Sequence, residues 1–297
     1  MKIASFIDRD NRRDWGVVRD DGIVRGSTLH GKVGGAVIGS IVDVIARGTG
    51  FLGEIAASSE EAEPDVALDA VRLLPPVVPS RDVFAIGVNY AAHFREAHPG
   101  GDTPLPSTPV VFSKALTSVT GPYDDIAWYP SLTQKLDYEV ELAVVIGQGG
   151  RHIDPGRALD HVAGYMVAND VSARDVQHGR PEGQWFLGKS MDTFCPIGPW
   201  LVTADEIDAA SGVDLSLRVN GETRQSSNTA DLIFGVAELV TELSRFVTLL
   251  PGDIILTGTP SGVGAAMDPP RFLVDGDVVE AEVAGIGAIR NTVRAMA

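Results

Sequence analysis

Between Lys135 and Ile146 the chain alternates apolar and polar residues, and no other stretch restricts the fold as much. Leu136, Tyr138, Val140, Leu142, Val144 and Ile146 fall on one side, and Asp137, Glu139, Glu141 and Ala143 on the other. A period of two is that of a β-strand, so the spacing predicts a strand over 135–146 with one face packed on a core. Glu139 and Glu141 then project side by side, with Cα atoms roughly 6–7 Å apart at ~3.3 Å rise per residue. Two carboxylates on one face of an apolar strand repel unless a cation sits between them. Carboxylate oxygens suit a hard divalent ion, Mg²⁺, Mn²⁺ or Ca²⁺. Taken alone, the stretch is as well explained by the solvated face of an antiparallel strand, where acidic neighbours are ordinary.

A chain of 297 residues can bury a large core, as one long domain or two. Its net charge of −16 argues against nucleic acid as a partner, because phosphates need a basic surface. The same charge repels anionic substrates at long range, so a site for an acid must supply local positive charge by metal, Lys or Arg. The single cysteine, Cys195, excludes an internal disulfide and a cysteine-based zinc cluster. It reads as a small buried apolar residue. No apolar run approaches ~18 residues and the N-terminus has no signal core, so the expectation is a soluble, cytoplasmic protein without a membrane partner.

Residues 1–75 read as a small α+β unit. Lys2 to Ile7 and Trp15 to Val18 are strand-like, and Asp20-Asp21-Gly22 signals a hairpin into Ile23-Val24-Arg25. Short helices are expected over 41–46 and 51–57. Gly31-Lys32-Val33-Gly34-Gly35 matches no nucleotide-binding loop and reads as a loop. The prolines of Leu74-Pro75-Pro76-Val77-Val78-Pro79-Ser80 mark an extended connector, so the main domain is taken as 76–297. From there strands dominate. A helix is expected over 89–98 with Asn89 as its N-cap. A long amphipathic helix is expected from Thr229 to Val247, its apolar positions at Leu232, Ile233, Val236, Leu239, Val240, Leu243, Phe246 and Val247.

Four places carry chemistry. His93 and Glu96 stand three apart and share a helix face, where a carboxylate orients an imidazole into a usable base; spacing alone equally allows a surface ion pair. Asp170 ends a strand, which suits a functional group or a helix cap. Lys189 is an isolated lysine between apolar residues, either an oxyanion donor or nucleophile or a surface lysine with a buried stem. Gly258-Thr259-Pro260-Ser261-Gly262-Val263-Gly264 lets backbone N–H groups approach an anion, but lacks the lysine of a phosphate loop. The polar stretch after His98 is a candidate lid.

These segments resemble, in order, the fumarylacetoacetate hydrolase family over about 77–294. They are Gly87-Val88-Asn89-Tyr90-Ala91-Ala92-His93, Asp137-Tyr138-Glu139-Val140-Glu141-Leu142, Asn169-Asp170-Val171-Ser172-Ala173-Arg174-Asp175-Val176-Gln177, Gly188-Lys189-Ser190, Val219-Asn220-Gly221 and Pro251 to Gly264. The resemblance implies an α+β, predominantly β fold: a mixed β-sandwich roll, usually dimeric, preceded here by the small N-terminal domain. It implies Mg²⁺ or Mn²⁺ on Glu139, Glu141 and Asp170, a base dyad of His93 and Glu96, and Lys189 against developing negative charge. It implies Arg174, Gln177 and Thr259 as substrate-side groups. The expected substrate is a small 2-oxo acid. The leading expectation is hydrolysis of a C–C bond in a 2,4-dioxo acid with release of pyruvate. The alternative on the same site is oxaloacetate decarboxylation or tautomerisation, or isomerisation of a dienol acid. A Schiff-base lyase using Lys189 and a non-catalytic binder are the remaining readings.

Overall fold

The computed structural model describes residues 1–19, 22–33, 39–98, 100 and 103–297. Asp20, Asp21, Gly34 and Gly35 lie outside these residues, as do Pro99, Gly101 and Asp102 of the stretch considered as a lid.

Two sheets carry the fold. The larger has twelve strands, and its central path runs Lys2–Ile7, Cys195–Thr203, Val162–Asn169, Val140–Ile146, Ile254–Leu256, Val83–Gly87, Val110–Lys114. Most neighbours on this path are antiparallel; Ile254–Leu256 pairs parallel to Val83–Gly87. The second sheet has five strands, in the order Glu222–Asn228, Asp214–Val219, Val278–Val283, Gly287–Ala295, Ile126–Trp128. The α+β, sheet-dominated class expected from the sequence is the observed one. Asn220 and Gly221, both at positive φ (51° and 82°), make the tight turn between the first two of these strands.

The strand expected over 135–146 differs in two ways. It is broken: Leu136–Asp137 pairs with Ser172–Ala173, and the central strand begins anew at Val140. It is also buried on both faces. Leu142, Val144 and Ile146 pack toward the second sheet with Leu217, Ala281 and Val293. Ala143 and Val145 pack on the other side in one cluster with Ile3, Val17, Val24, Ile41 and Ile55 from the N-terminal segment. A strand covered twice needs no polar face beyond Glu141. The larger sheet is continuous across residue 75, with Lys2 opposite Val202 and Ile3 opposite Leu201.

Two local expectations fail for tertiary reasons. Asn89 does not cap the helix Ala91–Ala97; Tyr90 occupies that position. The Asn89 side chain is fully buried, donating to Phe234 O (3.0 Å) and Thr257 O (2.8 Å) and accepting from Phe234 N (2.9 Å). It ties three segments together around the site. The amphipathic helix is shorter than expected, Val236–Phe246, because Leu232 pairs with Tyr90 in a β-bridge before it starts; Phe246, expected on the apolar face, is 72% exposed. Among the described residues no helix is long and apolar enough to cross a membrane.

Candidate active site

The antiparallel register assembles the carboxylates. Val140 lies opposite Asn169 and Glu141 opposite Ala168, so Glu139 and Asp170 face each other just past the paired ends. Asp170 N donates to Glu139 O (2.8 Å), and Glu139 N donates to Asn169 Oδ1 (2.9 Å). One oxygen each from Glu139, Glu141 and Asp170 lies within 4.8 Å of the others, all three residues buried.

Buried carboxylates need partners. Lys189 Nζ lies 2.8 Å from both Glu139 Oε2 and Asp170 Oδ2. Arg174 Nη2 lies 2.7 Å from Glu139 Oε1, and its Nε 2.8 Å from Asp137 Oδ2. Lys114, fully buried, donates to Asp170 Oδ1 (2.5 Å), to Val171 O (3.3 Å) and to Lys189 O. Among the described residues Glu141 has no such cation, and its one bond is from Gly258 N (2.5 Å). The electrostatics follow. Burial pushes the Glu139 carboxyl up, but Lys189, Arg174 and His93 outweigh it and hold it at about 2. Burial, then the charges of Asp170 and Glu139, push the Glu141 carboxyl well above its ordinary range. Burial lowers the Lys189 ammonium's pKa, but Asp170 and Glu139 overcome this and leave it raised. A buried, oxygen-only triad with one uncompensated carboxylate fits a hard divalent cation.

The glycine loop binds anions, and the anions are the protein's own side chains. Gly258 N holds Glu141, Gly262 N donates to Glu96 Oε1 (2.9 Å), and Gly264 N and Ala265 N donate to Asp137 (2.8 and 3.0 Å). Gly262 has φ +103°, and a Cβ there would lie 2.0 Å from Arg224 O. Gly262→Ala is therefore expected to cost about 1–3 kcal/mol of stability and to loosen Glu96, so that melting temperature and kcat fall together. An unchanged melt would show that the loop has room to yield.

His93 and Glu96 do form a dyad, Nδ1 to Oε2 at 3.1 Å, with Glu96 pinned from behind by Gly262. They share a cavity of about 820 Å³ with Glu139, Arg174, Gln177, Lys189 and Thr259. Glu139 is the triad member that lines it; an oxygen each of Glu141 and Asp170 lies within 4.8 Å of one of Glu139's. Several hydroxyl and guanidinium groups expected to face substrate are already committed. Thr259 Oγ1 donates to Val140 O (2.9 Å) and accepts from Gln225 Nε2 (2.8 Å). Arg174 Nη1 donates to Gln177 Oε1 (3.0 Å), which leaves the Gln177 amide nitrogen as a donor. Cys195 is buried and its thiol is pushed up to about 12, as an inert core residue.

Sequence reasoning missed Lys114 and the role of Asp137 as the anchor of Arg174. Asp137 carried a signal, a carboxylate on the same face as Glu139 and Glu141. Lys114, at the end of a strand, carried none.

A family model for the C-terminal domain of fumarylacetoacetate hydrolase matches residues 82–294. The chain is 46% identical over 254 residues to the mitochondrial oxaloacetate tautomerase FAHD2A of Bos taurus, covering 86% of this chain and 79% of that protein. It is 41% identical over 264 residues to the oxaloacetate tautomerase YisK of Bacillus subtilis, covering 86% of each. Among solved structures it resembles maleylpyruvate hydrolase from Sphingobium sp. SYK-6 in complex with manganese(II) and pyruvate, with TM-score 0.79, 29% identity and full coverage of both chains. The tautomerase names fit the alternative drawn from the sequence better than its leading expectation of C–C hydrolysis.

Proposed function

The chain belongs to the fumarylacetoacetate hydrolase family of enzymes, and on that premise we propose that it is a divalent-metal-dependent tautomerase interconverting the enol and keto forms of a small 2-oxo acid of the oxaloacetate type. The observation that carries this reading is the His93–Glu96 dyad lining one cavity with Glu139 of the acidic triad. Its likeness to two oxaloacetate tautomerases supports the choice of reaction.

Ketonisation adds a proton at C3 and removes one from the 2-hydroxyl. No bond between heavy atoms breaks, so no water has to be activated. Glu96 accepts at Nδ1 of His93 and leaves Nε2 to exchange protons with the substrate. Gln177 offers its amide N–H to the substrate carboxylate. Lys189 keeps a positive charge beside the oxygen on which negative charge develops. Mg²⁺ or Mn²⁺, held by Glu139, Glu141 and Asp170, would supply Lewis-acid polarisation of the 2-oxo oxygen. Arg174 and Thr259 act from behind, the first fixing Glu139 and the second fixing the turn of backbone at Val140.

The test follows the ultraviolet absorbance of enol-oxaloacetate as it decays to the keto form, with chelated and with Mg²⁺- or Mn²⁺-loaded protein. Metal-dependent acceleration with the four-carbon skeleton intact is expected. Pyruvate released from acetylpyruvate, without faster ketonisation, would replace this reading with the hydrolase. Pyruvate released from oxaloacetate would replace it with the decarboxylase.

A further inference from the structure

One wall of the cavity is aromatic and leads from the centre of the site to its mouth. Lys189 Nζ lies 5.4 Å from the centroid of the Phe112 ring. Phe112 meets Trp185 edge-on at 5.3 Å, and Trp185 meets His178 edge-on at 5.8 Å. Trp185 packs so closely on the backbone at Gly87 that a Cβ there would lie 2.7 Å from its ring. The wall is therefore fixed, and a flat conjugated enol fits against it.

The polar groups lining this cavity differ in what they have left to give. Arg174 and Lys189 are both bound to carboxylates. His93 and His98 each have Nδ1 committed, to Glu96 and to Phe94 O (2.9 Å), which leaves one ring nitrogen on each, and Gln177 keeps its amide nitrogen. The His178 ring nitrogens bond to none of the described residues, and the side chain is exposed at the mouth. Partial burial, then the charges of Arg174 and Lys189, hold its imidazole below the ordinary 6.5. At the ring these two charges outweigh the opposing one of Glu139, which favours an anion there.

We infer that His178 receives the distal carboxylate of a dicarboxylic 2-oxo acid and so sets a preference for ligands that carry this second, distal carboxylate over those that lack it. The inference rests on the tautomerase reading above and deepens it. With the 2-oxo and adjacent carboxylate groups directed at the triad, the far carboxylate of a four-carbon diacid points toward the mouth. A neutral imidazole N–H can donate to it there, and a bound carboxylate would itself favour the imidazolium, against the effect of the surroundings.

The experiment compares wild type with His178→Phe, which keeps the edge-on contact with Trp185 and removes both nitrogens. Three quantities are read on the Mn²⁺-loaded protein: KM and kcat for oxaloacetate ketonisation, and the inhibition constant of oxalate, which has no distal group. The expected result is a KM about tenfold higher, equivalent to about 1.4 kcal/mol, with kcat and the oxalate constant unchanged. An unchanged KM overturns the assignment. Equal weakening of oxaloacetate and oxalate overturns it too, because it would show a general disturbance of the site. Absence of ketonisation by wild type overturns the activity itself and this inference with it.

Discussion

His93→Ala lowers the ketonisation kcat by about 10²–10⁴-fold, the usual contribution of a positioned acid–base group, while Mn²⁺ affinity stays at the wild-type value. The separation of the two effects is the substance of the prediction. His93 is buried on the cavity wall, bonded to Glu96, and Glu96 keeps its bond from Gly262 N when the imidazole is gone. None of the three triad carboxylates hydrogen-bonds to His93. Calorimetric titration with Mn²⁺ beside steady-state kinetics reads both quantities. If Mn²⁺ affinity collapses with kcat, His93 is a ligand and the dyad must be given up. If kcat is untouched, proton transfer runs through another group, and Lys189 becomes the first candidate.

The sequence was most legible where a side chain's role follows from its nearest neighbours. The alternation from Val140 to Ile146 reports a real strand, and Asn220-Gly221 a real turn, because period and turn chemistry are local properties. The order of the short motifs then named the residues of the triad and the dyad, which the fold brings together. What failed was set across long separations. Asn89 has the composition of a cap, but its amide is spent on Phe234 and Thr257. Leu232 and Ile233 sit at helical spacing yet belong to a segment that crosses Tyr90 before the helix starts. Lys114 ends an ordinary-looking strand, and only the fold brings it to Asp170 and to the carbonyl of Lys189. The glycine loop was read correctly as a cradle for negative charge. Its occupants, Glu141, Glu96 and Asp137, lie between 117 and 166 residues away, so no local pattern names them.

Glu141 makes metal binding and stability depend on pH in a direction the geometry fixes. Three buried cations, Lys114, Lys189 and Arg174, serve Asp170, Glu139 and Asp137, and Glu141 is left with a single N–H. Its carboxyl is therefore raised above the ordinary 4.5, so the folded chain holds this proton where the unfolded chain has released it. In chelator, this group makes stability fall as pH climbs from 4.5 through the raised value. Glu139 acts in the opposite sense and lower down. Held at about 2 by Lys189 and Arg174 against its burial, it stabilises the fold fully above 4.5 and loses that contribution as pH falls toward 2. A divalent cation needs the ionised triad, so binding expels the Glu141 proton and tightens as pH rises through the same window in which the chelated protein weakens. Glu141→Gln removes the proton and one ligand together. It is expected to flatten the upper limb of the stability profile, to weaken Mn²⁺ by at least about 10–100-fold, and to abolish metal-dependent ketonisation. Titrating Mn²⁺ in two buffers of different ionisation enthalpy measures the released proton directly. Proton release by wild type and none by Glu141→Gln is the expected pair of results. Binding by wild type with no proton release, and an affinity independent of pH, would mean that Glu141 is already ionised and that a positive charge not identified above lies beside it.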